Sequence, residues 1–114
     1  MVSDADSTSQ LRRGVLELCV LRLLAGKASY GYEVVTKLES MGPLATGENT
    51  VYPLLRRLKT DKYLETFEVA SPSGPPRQYY RVTQRGQQRL KSLQAEWIEL
   101  AQAVEYCLTH GEKS

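Results

Sequence analysis

The sequence predicts a mainly α fold with a small β-hairpin, and three observations carry that prediction. Apolar residues recur at helical spacing in three short blocks before residue 62. An aromatic and β-branched stretch, split by a Pro/Gly cluster, follows them. From residue 84 a proline-free block repeats its apolar residues every three or four positions. At 114 residues the chain fits one structural unit, with a compact part at 1–83 and a long C-terminal helix at 84–114.

Ser7 or Thr8 is a candidate cap for a first helix that reaches about Ala25 and ends at Gly26. Its apolar residues, among them Leu11, Val15, Leu18, Val20, Leu21 and Leu24, wrap most of the circumference, so this helix needs cover on more than one side. Ser29 is the cap expected for a second helix, whose apolar face carries Tyr30, Val34, Leu38 and Met41 up to a stop near Gly42-Pro43. Thr46 is the cap expected for a third helix over 47–61, with Val51, Leu54, Leu55 and Leu58 as its core stripe. Pro53 lies opposite that stripe and predicts an irregular or bent start, because proline removes a helix hydrogen bond.

YLETFEVA at 63–70 and QYYRVT at 78–83 read as two strands of a hairpin. The intervening SPSGPPR suggests a mobile seven-residue tip rather than a tight two-residue turn. Thr83 then caps a helix of about 26 residues, roughly 39 Å long, more than a unit of this size needs for its own core. Its seam of Leu90, Leu93, Trp97, Leu100, Val104 and Cys107 resembles one side of a coiled coil, so a second copy of the chain is the expected occupant. Cys19 and Cys107 fall within apolar helical patterns, where a free thiol behaves as a small hydrophobe, and no disulfide framework is expected.

Charge narrows the function. Residues 1–55 hold five basic and six acidic side chains, 56–91 nine and three, and 92–114 one and four, so the net charges are −1, +6 and −3. A +6 middle segment is the footprint of a protein that meets a polyanion, with a merely solvated basic face as the plain alternative. No apolar run approaches the ~20 residues of a membrane span, and the acidic, polar start is unlike a secretion signal, so a cytoplasmic protein without a membrane partner is expected. No nucleophile-and-base set, paired catalytic carboxylates, phosphate-cradling glycine loop or His/Cys cluster stands out, which argues against an enzyme, a metal site or a cofactor.

Three short helices followed by a hairpin is the order of a winged helix-turn-helix, whose third helix enters the major groove of DNA. Projected at 100° per residue, Asn49, Pro53, Arg56 and Thr60 lie opposite the leucine stripe, with Thr50, Tyr52 and Arg57 nearby. Asn can bond adenine bidentately, Arg can take guanine or phosphate, and a Tyr hydroxyl can reach a phosphate oxygen. Arg77 and Arg81 on the return strand would add phosphate or minor-groove contacts. The expected DNA-binding residues are therefore Asn49, Thr50, Tyr52, Pro53, Arg56, Arg57, Arg77 and Arg81. Tyr30 and Tyr32 could touch the backbone, although Tyr30 lies on an apolar face.

SYGYEVVTKL at 29–38, NTVYPLLRRLKTDKYLE at 49–65 and RQYYRVTQRG at 77–86 resemble the PadR family of transcriptional regulators through about three quarters of the chain. Gly86 matches the family's usual glycine, while Lys62 stands where the family commonly has Gly. The resemblance implies a dimeric repressor of the short type, with a single C-terminal dimerisation helix; the third helices of two copies set apart in this way would enter successive major grooves of a pseudo-palindromic operator. It further implies that a flat hydrophobic or phenolic effector can sit at the dimer centre against a tryptophan, a place that Trp97 matches. On the residues alone, a seam tryptophan reads as packing or as a ligand platform, with Leu11, Gly14, Val15, Leu18 and Leu93 as possible walls. Two rivals remain: a winged helix that binds an acidic protein without DNA specificity, and a DNA-binding repressor that senses no ligand.

Overall fold

The computed structural model describes residues 4–112, with side-chain burial from Gln10 onward. In chain order the elements are α1 (Asp4–Gly26), β1 (Ser29–Tyr30), α2 (Gly31–Glu39), a 3-10 turn (Gly42–Leu44), α3 (Glu48–Thr60), β2 (Leu64–Ser71), β3 (Gly74–Val82) and α4 (Gln84–His110). The strands form one antiparallel sheet in the order β1-β3-β2. This is a winged-helix arrangement with a long terminal helix, as the periodicities predict.

The core gathers where the apolar stripes converge. Leu16, Val20, Leu21 and Leu24 of α1 meet Val34, Val35 and Leu38 of α2 and Val51, Leu55 and Leu58 of α3, and Leu64, Tyr80 and Leu90 close it from the sheet and α4. Leu54, fourth member of the α3 stripe, packs at the core's edge. Among the described residues, no helix is long and apolar enough to cross a membrane.

Several boundaries differ from the sequence reading. Helix α1 begins at Asp4, so Ser7 and Thr8 lie inside it rather than capping it. Ser29 does not cap α2: it pairs with Tyr80 as part of β1, and its buried hydroxyl donates to the Lys27 carbonyl at 3.2 Å. The cap position passes to Tyr30, whose amide donates to the Glu33 carboxylate at 3.3 Å. Because α2 ends at Glu39, Met41 falls beyond the helix and is exposed. Gly47 rather than Thr46 precedes α3, and its carbonyl accepts from the amides of Thr50 and Val51, both at 3.1 Å. Pro53 is accommodated inside that helix.

The hairpin tip is tighter than expected. Ser71 pairs with Gly74, so only Pro72 and Ser73 make the turn, with Pro and Gly at positions a β-turn favours. The proline-rich stretch is absorbed by a bulge: Val69 pairs with Arg77 and Ser71 with Gly74, which leaves Pro75 and Pro76 opposite Ala70 alone. Prolines lack the amide a regular ladder needs, and a bulge is where a strand tolerates them.

Helix α4 follows the prediction closely at 27 residues, with the Thr83 hydroxyl accepting from the Gly86 amide at 3.0 Å. Its first turns meet the protomer's core through Gly86 and Leu90, with Leu93 at the core's edge.

Candidate nucleic-acid interface

The C-terminal end of α3 carries the wing at a defined angle. The Lys62 amide donates to the Lys59 carbonyl at 3.0 Å and the Tyr63 amide to Leu58 at 2.9 Å, the two crossed bonds of a Schellman cap. Such a cap requires a left-handed residue after the helix, and Lys62 has φ 66°, alone among the described non-glycine residues in being positive. The family resemblance implies Gly at this position, and the left-handed backbone gives the physical reason.

The start of α4 clamps this turn from outside. The Thr83 hydroxyl donates to the Lys62 carbonyl at 2.7 Å, and Arg85 Nε donates to the Asp61 carbonyl at 3.1 Å. The guanidiniums of Arg85 and Arg89 lie 5.0 and 5.6 Å from the Tyr63 ring centre.

The expected DNA-binding residues divide between two sides of α3. On one side, Asn49, Thr50, Pro53 and Arg57 border a cleft of about 490 Å³ against Arg13, Gly14, Leu16 and Glu17 of α1. On the other, Tyr52 borders a cleft of about 310 Å³ with Tyr30, Gly31 and Tyr32 of α2 and with Arg77, Gln78 and Tyr80 of β3. Arg56 is exposed, and its charge reaches Tyr80 at that second cleft. Gly31 lies so close to the Tyr52 ring that a Cβ there would overlap it, so glycine leaves the ring its space. Burial pushes the Tyr52 phenol above its ordinary value, reinforced by the Glu48 carboxylate and the neighbouring tyrosines. Burial likewise raises Tyr80, partly offset by Arg56. Tyr52, at the mouth of the cleft, thus keeps a hydroxyl proton that can be donated to a phosphate oxygen, whereas Tyr80 is buried in the core.

Alternation along β3 sends Tyr80 into the core and Arg77, Tyr79 and Arg81 to the outer face of the sheet. Tyr79 sits between Tyr30 at 5.4 Å and Phe67 at 5.7 Å, one ring from each strand. Tyr30 is thus half-buried in this aromatic row and not in the leucine core, because it is extended rather than helical. Arg77 stacks 4.5 Å over Tyr30 and Arg81 4.7 Å over Phe67. Stacking orients a guanidinium flat while leaving its edge donors available. Arg81 also bonds Glu65 at 3.0 Å, so its charge is shared within the wing. Arg57 is more committed still, bonded to Glu17 at 2.9 Å and lying 3.6 Å from Asp61. Sequence reasoning missed Arg13, Gln78 and Glu17, which only the packing of α1 and β3 brings beside α3.

A second feature lies between α1 and α4. Leu11, Gly14, Val15, Leu18, Leu93 and Trp97 all line one apolar groove of about 550 Å³, together with Leu100, Ala101 and Val104. Glu96 and Glu105 also line it. Trp97 is 45% exposed and forms a wall shared with a smaller hollow against Cys19, Met41 and Leu44. Leu11 at 80% and Leu100 at 58% exposure show how much apolar surface one protomer leaves open. The expected subunit seam needs one correction. Leu90 is 7% exposed and belongs to the protomer's own core, because the first turns of α4 pack on the sheet and α1. Leu93 is half-buried at the core's edge, and the open seam runs through Trp97, Leu100, Val104 and Cys107. Cys19 is half-buried with a thiol raised by burial, whereas Cys107 is exposed, unlike the buried position its pattern suggested. Among the described residues, no group of three or more His, Cys, Asp or Glu is placed to hold a metal ion.

Comparison with known proteins agrees with this geometry. Residues 20–92 match the model of the transcriptional regulator PadR-like family. A PadR-like transcription factor from Bacteroides fragilis is 42% identical, with a TM-score of 0.72 over 86% of this chain and 94% of its own. A PadR-like transcriptional regulator from Bacillus cereus is 37% identical, with a TM-score of 0.79 over 90% and 99%. A PadR family regulator from Eggerthella lenta is 36% identical, with a TM-score of 0.81 over 90% and 88%. These neighbours are regulators rather than enzymes. The chain belongs to the PadR-like family of transcriptional regulators, which act by binding DNA.

Proposed function

We propose that the protein is a homodimeric repressor whose two α3 helices enter successive major grooves, about 34 Å apart, on a pseudo-palindromic operator. The observation that carries the dimer is the apolar groove and seam left open by one protomer, centred on Trp97, Leu100 and Val104. A chain this short gains stability by covering such a surface, and a second copy offers the matching stripe. Asn49, Thr50 and Pro53 face the bases, Tyr52, Arg56 and Arg77 reach phosphate, and Arg81 supports the wing.

The repressor sense and the release by ligand rest on family resemblance together with Trp97. A flat hydrophobic or phenolic compound would lie in the groove against Trp97, over the open floor at Gly14, where nothing stands within 4 Å of an added Cβ. It acts as an inducer if it prefers the spacing of α4 helices that misfits the operator.

Sequencing the DNA that the protein captures from its own genome tests the regulator reading. Enrichment of a pseudo-palindrome near its own or an adjacent gene is expected, and uniform recovery would instead favour a protein-interaction module. Trp97, the single tryptophan in the sequence, reports on the groove by fluorescence. Planar aromatic compounds should quench it and weaken operator binding together. If none does either, Trp97 serves packing alone.

A further inference from the structure

One charge cluster takes no part in the base-facing row or in the apolar groove. Glu17 of α1 is only 16% exposed and holds two arginines at once. Arg57 Nη2 donates to its Oε1 at 2.9 Å, and Arg89 Nε of α4 donates to its Oε2 at 2.8 Å. Arg57 Nη1 also lies 3.6 Å from Asp61 Oδ2. Two carboxylates and two guanidiniums leave this cluster with no net charge. The separation matters because Arg56 and Arg57 are neighbours in sequence yet lie on different sides of α3. Arg57 borders the α1 cleft with Asn49, Thr50 and Pro53, whereas Arg56 is exposed on the side of the wing.

We propose that Glu17 is a positioning residue of the DNA interface: it withholds Arg57 from phosphate, so that of the adjacent pair Arg56 alone neutralises DNA. The 2.9 Å bond from Nη2 to Glu17 has the length of a strong charge-assisted hydrogen bond, while Nη1 faces Asp61 only as an ion pair at 3.6 Å. Because Arg89 grips the other oxygen of the same carboxylate, the cluster also joins α1, α3 and α4 at one point. Specificity benefits, since an unrestrained arginine beside the groove would bind any sequence through its backbone. The inference rests on reading α3 as the groove-entering helix.

The test is the salt dependence of binding to a mixed-sequence duplex of about two helical turns, followed by fluorescence anisotropy, where each phosphate neutralised adds about 0.9 to the slope of log K against log salt. Arg57→Gln should leave the slope unchanged. Glu17→Gln should steepen it by about 0.9 by releasing Arg57, and the double variant should return to the wild-type value. Loss of about 0.9 in Arg57→Gln alone would overturn the proposal, because Arg57 would then be on phosphate despite Glu17. So would a double variant as steep as Glu17→Gln, since the lost carboxylate charge alone would explain the change. Arg56→Gln should lose about 0.9. If it loses nothing, the placement of α3 on DNA fails and takes this inference with it. Should Glu17→Gln fail to fold, Glu17→Asp replaces it: the shorter carboxylate draws away from Arg57, the slope should steepen, and an unchanged slope would overturn the proposal.

Discussion

Gly86 in the first turn of α4 rests directly against the backbone carbonyl of Tyr63, with no space for a Cβ between them. The contact joins α4 to the turn that ends α3, and Tyr63 and Thr83 flank it with a backbone bond of 3.1 Å. Backbone cannot move aside as a side chain can. Gly86→Ala should therefore destabilise the protein by about 1–3 kcal/mol, the usual range for overpacking. Urea unfolding at fixed protein concentration measures it, and a change within about 0.5 kcal/mol would mean that the turn yields freely.

Lys62 is in the opposite situation, since its left-handed backbone would suit glycine better. A left-handed conformation costs an L-residue roughly 1–2 kcal/mol, partly offset by the entropy glycine loses on folding. Lys62→Gly should stabilise by about 0.5–1 kcal/mol and raise the urea midpoint without altering the slope. Lys62→Val should do the reverse, because a β-branched side chain is least at ease there.

Burial alone would raise the Glu17 carboxyl, but the hydrogen bonds from Arg89 and Arg57 outweigh it and hold it below the ordinary carboxylate range. A folded-state value lower than the unfolded one means that ionised Glu17 stabilises the fold above about pH 4.3 and ceases to do so as pH falls through the lowered value. The stability difference between wild type and Glu17→Gln should be widest near neutrality and close in acid. Parallel urea titrations at neutral and acidic pH measure it. A gap independent of pH would show that Glu17 acts through packing and not through its charge.

Leu90 and Leu100 lie on one apolar stripe of α4 but differ in what covers them. Leu90 is buried within one protomer, so Leu90→Ala should cost about 2–5 kcal/mol at every protein concentration. Leu100 is exposed in one protomer, and under the proposed dimer Leu100→Glu should shift the protein toward monomer while leaving the monomer's fold intact. Light scattering across a dilution series, read beside circular dichroism, separates the two effects. An unchanged mass for Leu100→Glu at all concentrations would place the dimer contact elsewhere.

The core of α3 was legible because Val51, Leu54, Leu55 and Leu58 repeat at helical spacing, and α4 because Thr83 caps a long uninterrupted run. Strand β1 was not, since two residues have no period to detect and Ser29 is a good cap by composition. The tight hairpin tip was hidden because Pro75 and Pro76 read as loop, whereas a bulge lets them remain in the strand. Gly86 was visible only as a family glycine, and its physical reason is the Tyr63 carbonyl across the turn.

Sequence alone determined the order of the four helices and the hairpin, the apolar stripes, the basic middle segment and the family, because each follows from local spacing along the chain. Tertiary structure decided which charges are available. Arg56 and Arg57 are indistinguishable by composition, yet α1 brings Glu17 to one and not to the other. It also decided that Leu90 belongs inside while Leu100 remains open, because the start of α4 is pressed onto the sheet and the rest extends past it. Helical periodicity tells which face is apolar; what covers that face depends on elements distant in sequence.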